Sequence, residues 1–254
     1  MAWRIDLAGK CGIVTGAASG IGRAAATHLA AMGARLALVD INSGGLDATA
    51  REIQAAGSPP AVAIRADAAE EGDVEQAVAR CLAEFKAIDF LVNSHGIVRR
   101  TPFLEIQTQE WDLMLGVNLR SCFFFCKAVL PGMKERRQGV IVNVASLAGR
   151  SSSILGGVHY TVSKHGLIGL SRHLSREFGP FGIRVNTLCP GATLTPMTLA
   201  ITPQAEIDRV AAIIPRGRWS QPEEQARVIG FLVSDDSANI LGACIDCNGG
   251  SLMV

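Results

Sequence analysis

What most constrains the fold of this chain is a set of seven short, nearly continuous apolar runs separated by longer helical stretches. The runs are Gly12–Thr15, Arg35–Asp40, Ala61–Ala66, Phe90–Asn93, Val140–Val144, Ile183–Leu188 and Cys244–Asp246. Segments of helical period or composition lie between them, at roughly 20–32, 44–56, 70–86, 108–137, 160–178 and 222–234. A strand exposed on one face alternates apolar with polar residues, whereas a run apolar throughout must be covered on both faces. Strands that alternate with helices pair in parallel, because each helix carries the chain back to the start of the next strand. The pattern predicts an α/β fold: a doubly wound, seven-stranded parallel sheet with helices on both faces. Ligands of such sheets sit beyond the carboxyl ends of the strands, where the strand order reverses. Chemistry is therefore expected immediately after each strand.

Nothing along the 254 residues resembles a linker, so residues 1–254 read as a single domain. The longest irregular stretch, about 192–220, is rich in Thr and Pro. Its first part, 192–217, is expected to form a substrate lid. The net charge is +1, from 24 Lys and Arg against 23 Asp and Glu, which argues against nucleic acid or an anionic membrane as partner. The pairs Arg99–Arg100 and Arg136–Arg137 read as solvated surface. No apolar stretch approaches the roughly 18–20 residues needed to cross a bilayer. The first residues lack the apolar run of an export signal, and a cytoplasmic location is expected. Seven cysteines, an odd number without framework spacing, are expected to be reduced. Cys244 and Cys247 form a C-x-x-C within a strand-like run, where residues three apart face opposite sides. They read as structural, Cys122 and Cys126 read as helix packing, and no metal site is expected.

After the first strand comes Thr15-Gly-Ala-Ala-Ser-Gly-Ile-Gly22, leading into an Ala-rich helix. Gly16 permits a tight turn, and Gly20 and Gly22 let the backbone approach a pyrophosphate. The helix N-terminus then offers free N–H groups and the positive end of its dipole. Asp40 ends the second strand, 18 residues beyond Gly22. A carboxylate there accepts hydrogen bonds from ribose hydroxyls and repels a 2′-phosphate, so NAD is expected in preference to NADP.

Tyr160 and Lys164 are one helical turn apart on one face, and Tyr160 is the only tyrosine in the chain. A free phenol titrates near 10, too high for a base at neutral pH. An ammonium about 4 Å away, at an effective dielectric of about 20, favours the phenolate by roughly 4 kcal/mol. That is enough to bring the phenol towards neutrality. Ser146 lies just past the strand Val140–Val144 and 14 residues before Tyr160, where its hydroxyl could hold a substrate oxygen. Ser151–Ser153 lie further into the loop and read as flexible or substrate-facing.

With these motifs in this order, the chain resembles the short-chain dehydrogenase/reductase family, in its compact single-domain branch of Rossmann-like fold. The resemblance spans nearly the whole sequence. It implies a cofactor site that takes in Gly16, Ser19, Gly20, Ile21 and Gly22 of the loop, with Asp40, Ile41 and Asp67 on the adenosine side. Asn93, Gly96, Tyr160 and Lys164 would join them nearer the nicotinamide, as would Pro190, Gly191, Thr193 and Thr195, the last through its hydroxyl. It implies a catalytic set of Asn118, Ser146, Tyr160 and Lys164. In that set Ser146 positions the substrate oxygen and Tyr160 is the general acid/base. Lys164 lowers the tyrosine pKa and holds the ribose, and Asn118 anchors a relay water. It also implies a homotetramer built through the helices near 108–137 and 160–178. Two positions depart from the family pattern. The usual Asn-Asn-Ala-Gly reads Asn93-Ser94-His95-Gly96, and Asn248-Gly249-Gly250 replaces Asp-Gly-Gly. His95 is either a packing variant or a polar contact to substrate or cofactor, and Asn248 reads as structural.

The expected reaction interconverts a secondary alcohol and a ketone by hydride transfer. The segment from Leu147 to His159 is small and fairly polar, and His95 and His159 add donors. A small hydroxylated substrate such as a polyol, sugar or hydroxyketone is therefore expected. The alternatives are a 3-oxoacyl-thioester reductase, with Arg99 and Arg100 holding an acidic carrier, and a non-catalytic NAD-binding sensor.

Overall fold

The computed structural model describes residues 5–254. Seven strands form one sheet: β1 Cys11–Thr15, β2 Arg35–Asp40, β3 Val62–Arg65, β4 Phe90–Asn93, β5 Gly139–Val144, β6 Ile183–Pro190 and β7 Cys244–Cys247. All six pairings are parallel, in the order β3-β2-β1-β4-β5-β6-β7. β1 and β6 are buried along their whole length, as apolar runs covered on both faces require. Successive residues feed opposite layers. Val14 packs with α1 (Gly20–Ala31), α2 (Ser43–Ala55) and α9 (Pro222–Val233), while Ile13 packs with α3 (Glu71–Phe85) and α5 (Ser121–Arg136). The order turns back between β1 and β4, so a crevice opens above the carboxyl ends of those two strands.

Four features of the helical layers bear on the site. The helix expected over 108–137 is interrupted. α4 (Thr108–Leu115) passes through one wider turn of π geometry, Gly116–Arg120, before α5 begins. Such a turn adds a residue that hydrophobic periodicity does not register, and here it carries Asn118. By length and apolarity alone, the run Thr108–Arg136 would also cross a bilayer, which corrects the reading that no stretch comes close. Half of its apolar window is buried inside the protein, against the sheet and α3. α6 spans Val158–Phe178, beginning two residues before Tyr160. The stretch 192–217 is folded rather than irregular. It contains α7 (Pro196–Leu199) and α8 (Gln204–Ile213), with Val210, Ile214 and Trp219 forming a small core of their own. All seven cysteines are free thiols.

Candidate active site

The turn leaving β1 is wound tightly against the helix it starts. Gly16 and Gly20 have φ of +67° and +54°, a region that favours glycine. A Cβ on Gly22 would lie 2.1 Å from the Gly16 carbonyl oxygen, so only glycine fits. Ser19 precedes α1 and is exposed, and its side chain makes no capping bond, which leaves the first N–H groups of α1 available to an anion. Asp40 holds this loop in place: its carboxylate accepts hydrogen bonds from the Ala18 N–H at 3.1 Å and the Asn42 N–H at 2.9 Å. Ile41 beside it is exposed. Asp67 follows β3, its carboxylate accepting from the Ala69 N–H at 2.9 Å. A dinucleotide fits this arrangement: a bare cradle for the pyrophosphate, free helix N–H groups, and a carboxylate one strand over.

Beyond the glycine loop a cavity of about 370 Å³ opens, and Ile21, Gly96, Ser146, Tyr160, Lys164 and Thr193 are among the residues lining it. Ser146 has extended backbone at the end of β5, and its Oγ accepts from the Ala148 N–H at 3.0 Å, which leaves its proton to donate elsewhere. Lys164 is 4 % exposed; its ammonium donates to the Val144 carbonyl at 3.0 Å and lies 5.8 Å from the centre of the Tyr160 ring. The spacing of four residues thus brings the two side chains together, but the electrostatic outcome departs from the expected one. Burial pushes the Tyr160 phenol above its ordinary value, opposed only by a hydrogen bond with Ser146. Burial likewise lowers the Lys164 ammonium. With its ammonium on the Val144 carbonyl, Lys164 does not offset the burial of the phenol.

Asn118 is fully buried, and its amide clamps the peptide after Gly96. The Asn118 Oδ1 accepts from the Ile97 N–H at 2.8 Å, while Nδ2 donates to the Ile97 carbonyl at 2.9 Å and to Ser163 Oγ at 3.2 Å. Its side chain is therefore occupied by protein, and any water it anchors must use its backbone. Asn93 is also withdrawn from the cleft. Its amide donates to Asn143 Oδ1 at 2.8 Å, and Asn143 donates to Ser171 Oγ at 2.8 Å, which ties β4, β5 and α6 together beneath the site. Pro190 and Gly191 end β6 in the cavity wall. The Thr195 hydroxyl accepts from the Thr198 N–H at 3.2 Å in a reciprocal cap of α7, and its Cβ backs onto Gly20, seating the lid on the glycine loop.

The two histidines resolve differently. His95 lines the cleft, but both ring nitrogens are engaged: Nδ1 meets Thr15 Oγ1 at 2.6 Å and Nε2 meets Ser121 Oγ at 2.5 Å. Ser121 gives its own proton to the Val117 carbonyl at 2.6 Å, so Nε2 donates to it, and the neutral ring accepts at Nδ1 from Thr15, whose other acceptor, the Val92 carbonyl, is further off at 3.4 Å. Burial, reinforced by the Lys164 charge, pushes the ring's pKa down to about 3. His95 therefore has no nitrogen free for substrate. It ties β1 to the π turn that carries Asn118. His159 is fully buried and faces away from the cavity, with Nε2 on Glu110 Oε1 at 2.8 Å. It fixes the start of α6 against α4, which corrects its expected role as a substrate contact. Asn248 organises the last turn, its Oδ1 accepting from the Gly250 N–H at 3.0 Å.

The segment read as small and polar contributes Ser151–Ser153 to the wall, while the lid adds aliphatic side chains, Met197, Ile201, Val210, Ile213 and Ile214, beside Thr193, Thr195 and Thr198. The signal was the apolar content of 192–217, which the absence of a clear helical period concealed. The lid is also strapped across the mouth. Arg100 forks onto Glu206 of α8 with two contacts of 2.7 Å and donates to the Ile201 carbonyl at 3.1 Å. Arg100 is exposed, as the sequence suggests, and its guanidinium also ties the lid to the segment after β4.

With this geometry in place, the likenesses to known proteins can be stated. A family model described as enoyl-(acyl carrier protein) reductase matches residues 16–251. D-threitol dehydrogenase of Mycolicibacterium smegmatis is 40% identical over 98% of this chain and 94% of its own length. The 3-oxoacyl-[acyl-carrier-protein] reductase of Escherichia coli is 34% identical over 98% of this chain and the whole of its own. Among solved structures, a 3-oxoacyl-[acyl-carrier protein] reductase from Brucella melitensis with bound NAD superposes with a TM-score of 0.90. It is 32% identical, over 99% of this chain and 94% of that one.

Proposed function

Because the chain belongs to the short-chain dehydrogenase/reductase family and acts on CH–OH groups, we propose that it uses NAD to interconvert a secondary alcohol and a ketone on a small, uncharged, hydroxylated substrate: a polyol, sugar or hydroxyketone. The observation that carries this reading is the meeting of Ser146, Tyr160 and Lys164 in one cavity wall beside the glycine turn. The nicotinamide supplies or accepts the hydride when bound. The chain's own groups do the rest. Ser146, whose hydroxyl bonds Tyr160, can turn the same proton to the substrate oxygen as charge changes there. Tyr160 takes the hydroxyl proton in oxidation and returns it in reduction. Lys164 uses one of its three N–H groups on Val144 and has two left for the ribose hydroxyls. The preference for NAD rests on Asp40, whose carboxylate would repel a 2′-phosphate beside the second strand. Of the two arginines that thioester reduction on an acidic carrier would use, Arg100 is already paired with Glu206, whereas Arg99 bonds only the Val98 carbonyl.

The cytoplasm, consistent with seven free thiols, is the proposed location. Assembly as a homotetramer through α4, α5 and α6 would cover Leu113, Phe123 and Val162, which are 48, 45 and 39% exposed in the single chain. A solution mass measurement tests it. For the reaction itself, Tyr160→Phe should lower kcat by about two orders of magnitude or more while NAD still binds, as expected for loss of a general acid/base. Near-native turnover in that variant, or a kcat/KM about tenfold higher with NADP than with NAD, would overturn the corresponding part of the assignment.

A further inference from the structure

The cavity wall carries chemistry that proton transfer does not use. Among the described residues no Asp, Glu or Arg lines the cavity and Lys164 is its only lysine, with its ammonium on a backbone carbonyl. Arg100, Arg150 and Arg218 are paired with Glu206, Asp246 and Glu224, and Arg99, which donates to the Val98 carbonyl at 3.1 Å, lies outside the cavity wall. A carboxylate or phosphate entering this space would lose water and meet no free counter-charge. A row of hydroxyls lies on one side. Ser146 and Ser151–Ser153 lie on the segment after β5, and Ser153 Oγ accepts from the Leu155 and Gly156 N–H groups, which leaves its proton to donate. The lid supplies the other side: Thr193 gives its proton to the Gly191 carbonyl, Thr198 gives its proton to the Thr193 carbonyl and bonds Thr195, and Ile201, Val210 and Ile214 form an aliphatic floor. At the rim, Ile154, Met197 and Ile213 keep 56, 40 and 64% of their surface exposed. Apolar side chains gathered at the mouth of a cleft gain by being covered when it fills.

From this one-sided polarity we infer that the substrate is an uncharged vicinal diol, or the matching hydroxyketone, that carries an aliphatic arm. The hydroxyls face the serine segment and the arm lies along α7 and α8. The inference rests on the alcohol/ketone reaction proposed above and narrows it: a fully hydroxylated polyol would press polar groups against the lid, where they find no partner.

The test is steady-state oxidation with NAD of three substrate sets: aliphatic vicinal diols lengthened one methylene at a time from four carbons, tetritols, and 3-hydroxycarboxylates. The diols should gain about fourfold in kcat/KM per added methylene until the cavity is filled. The tetritols should fall about tenfold or more below the four-carbon diol, and the hydroxyacids lower still. Ile213→Ser and Met197→Ser, both at exposed positions that spare the core, should flatten the methylene series through KM, with kcat little changed. A flat series, or tetritols turned over as well as diols, overturns the aliphatic arm and leaves the reaction class standing. Absence of NAD reduction with every set removes the reaction class, and the arm with it.

Discussion

The closest packing in the site gives its sharpest test. In Gly22→Ala the new methyl would meet the Gly16 carbonyl oxygen at 2.1 Å, the Gly16 carbonyl carbon at 2.6 Å and the Thr15 carbonyl oxygen at 3.0 Å. All three are backbone atoms, so no side chain can swing aside. Carbon and oxygen rest at about 3.3 Å or more, so α1 must retreat from the turn by about 1 Å. Retreat is blocked, because Ala24, Ala25 and Ala26 on the same helix are buried against the sheet and α9. Forced overpacking costs about 1–3 kcal/mol, and the gain from placing Ala in a helix returns less than about 1 kcal/mol. A net loss of about 1–2 kcal/mol in a chain of this size lowers Tm by roughly 2–8 °C. The displaced turn is also the phosphate cradle, so NAD affinity should fall about tenfold, or 1.4 kcal/mol. Thermal melts with and without NAD read both effects, since bound cofactor stabilises the native enzyme by about 2.7 kcal/mol at one hundred times its Kd. Gly72→Ala in α3, where an added Cβ meets nothing within 4 Å, is the control and should be neutral or up to about 1 kcal/mol stabilising. A Gly22→Ala protein with the native melting point and the native response to NAD would refute both the tight winding and the phosphate role.

Three other perturbations read different parts of the site. Tyr160 is the only tyrosine, so near-ultraviolet phenolate absorbance follows it alone. Burial favours the neutral phenol, a stabilisation present below about 10 and lost as pH rises through the folded value. The free protein should therefore ionise above the ordinary value and NAD should lower the midpoint; a free-protein midpoint at or below about 10 would contradict the burial argument. His95 runs the other way. Its pKa falls to about 3, so its contribution is complete above the unfolded value near 6.5 and is lost as pH drops through that window. Denaturant unfolding of His95→Ala should show a pH slope between 6 and 4 that is shallower than native by up to about 1.4 kcal/mol per unit, and equal slopes would show the ring to be accessible. Arg100→Ala unfastens the lid from the β4–α4 segment. Substrate KM should rise severalfold with kcat kept, and the salt dependence of KM should disappear; an unchanged KM would mean the strap does not hold the lid.

How much could be read in advance depended on whether the signal was local. β2 and β4 begin and end where the sequence places them, because each buried apolar stretch, Leu36–Val39 or Phe90–Val92, is closed by a polar residue, Asp40 or Asn93. The glycine turn was legible for a similar reason, since residues fixed by backbone geometry announce themselves by spacing. The π turn at Gly116–Arg120 was not legible, because one added residue looks like ordinary drift in a helical pattern. The lid hid its helices for want of length: α7 has four residues and starts at a proline, too few for a period to register. His159 was misplaced because sequence gives adjacency to Tyr160 but not direction. Successive residues on a helix point about 100° apart, and this one turned inward to Glu110.

The tyrosine–lysine pair shows where sequence spacing stops being enough. Four residues of separation fix which two side chains meet, but not what each pays for being dry. Here burial raises the phenol and lowers the ammonium, so both shifts favour the uncharged forms. The lysine meets its own need by donating to Val144, one strand end away from the phenol. A proton carrier poised near neutral pH therefore cannot come from the pair alone. It requires either that the ammonium leave the carbonyl for a position nearer the phenol oxygen, or that further positive charge enter the cleft. Oxidised nicotinamide beside Tyr160 would supply that charge, and ribose hydroxyls would give the ammonium a second set of acceptors. On that account the acidity of the base would follow occupancy of the glycine turn, and the shift of the Tyr160 phenolate midpoint on adding NAD measures it.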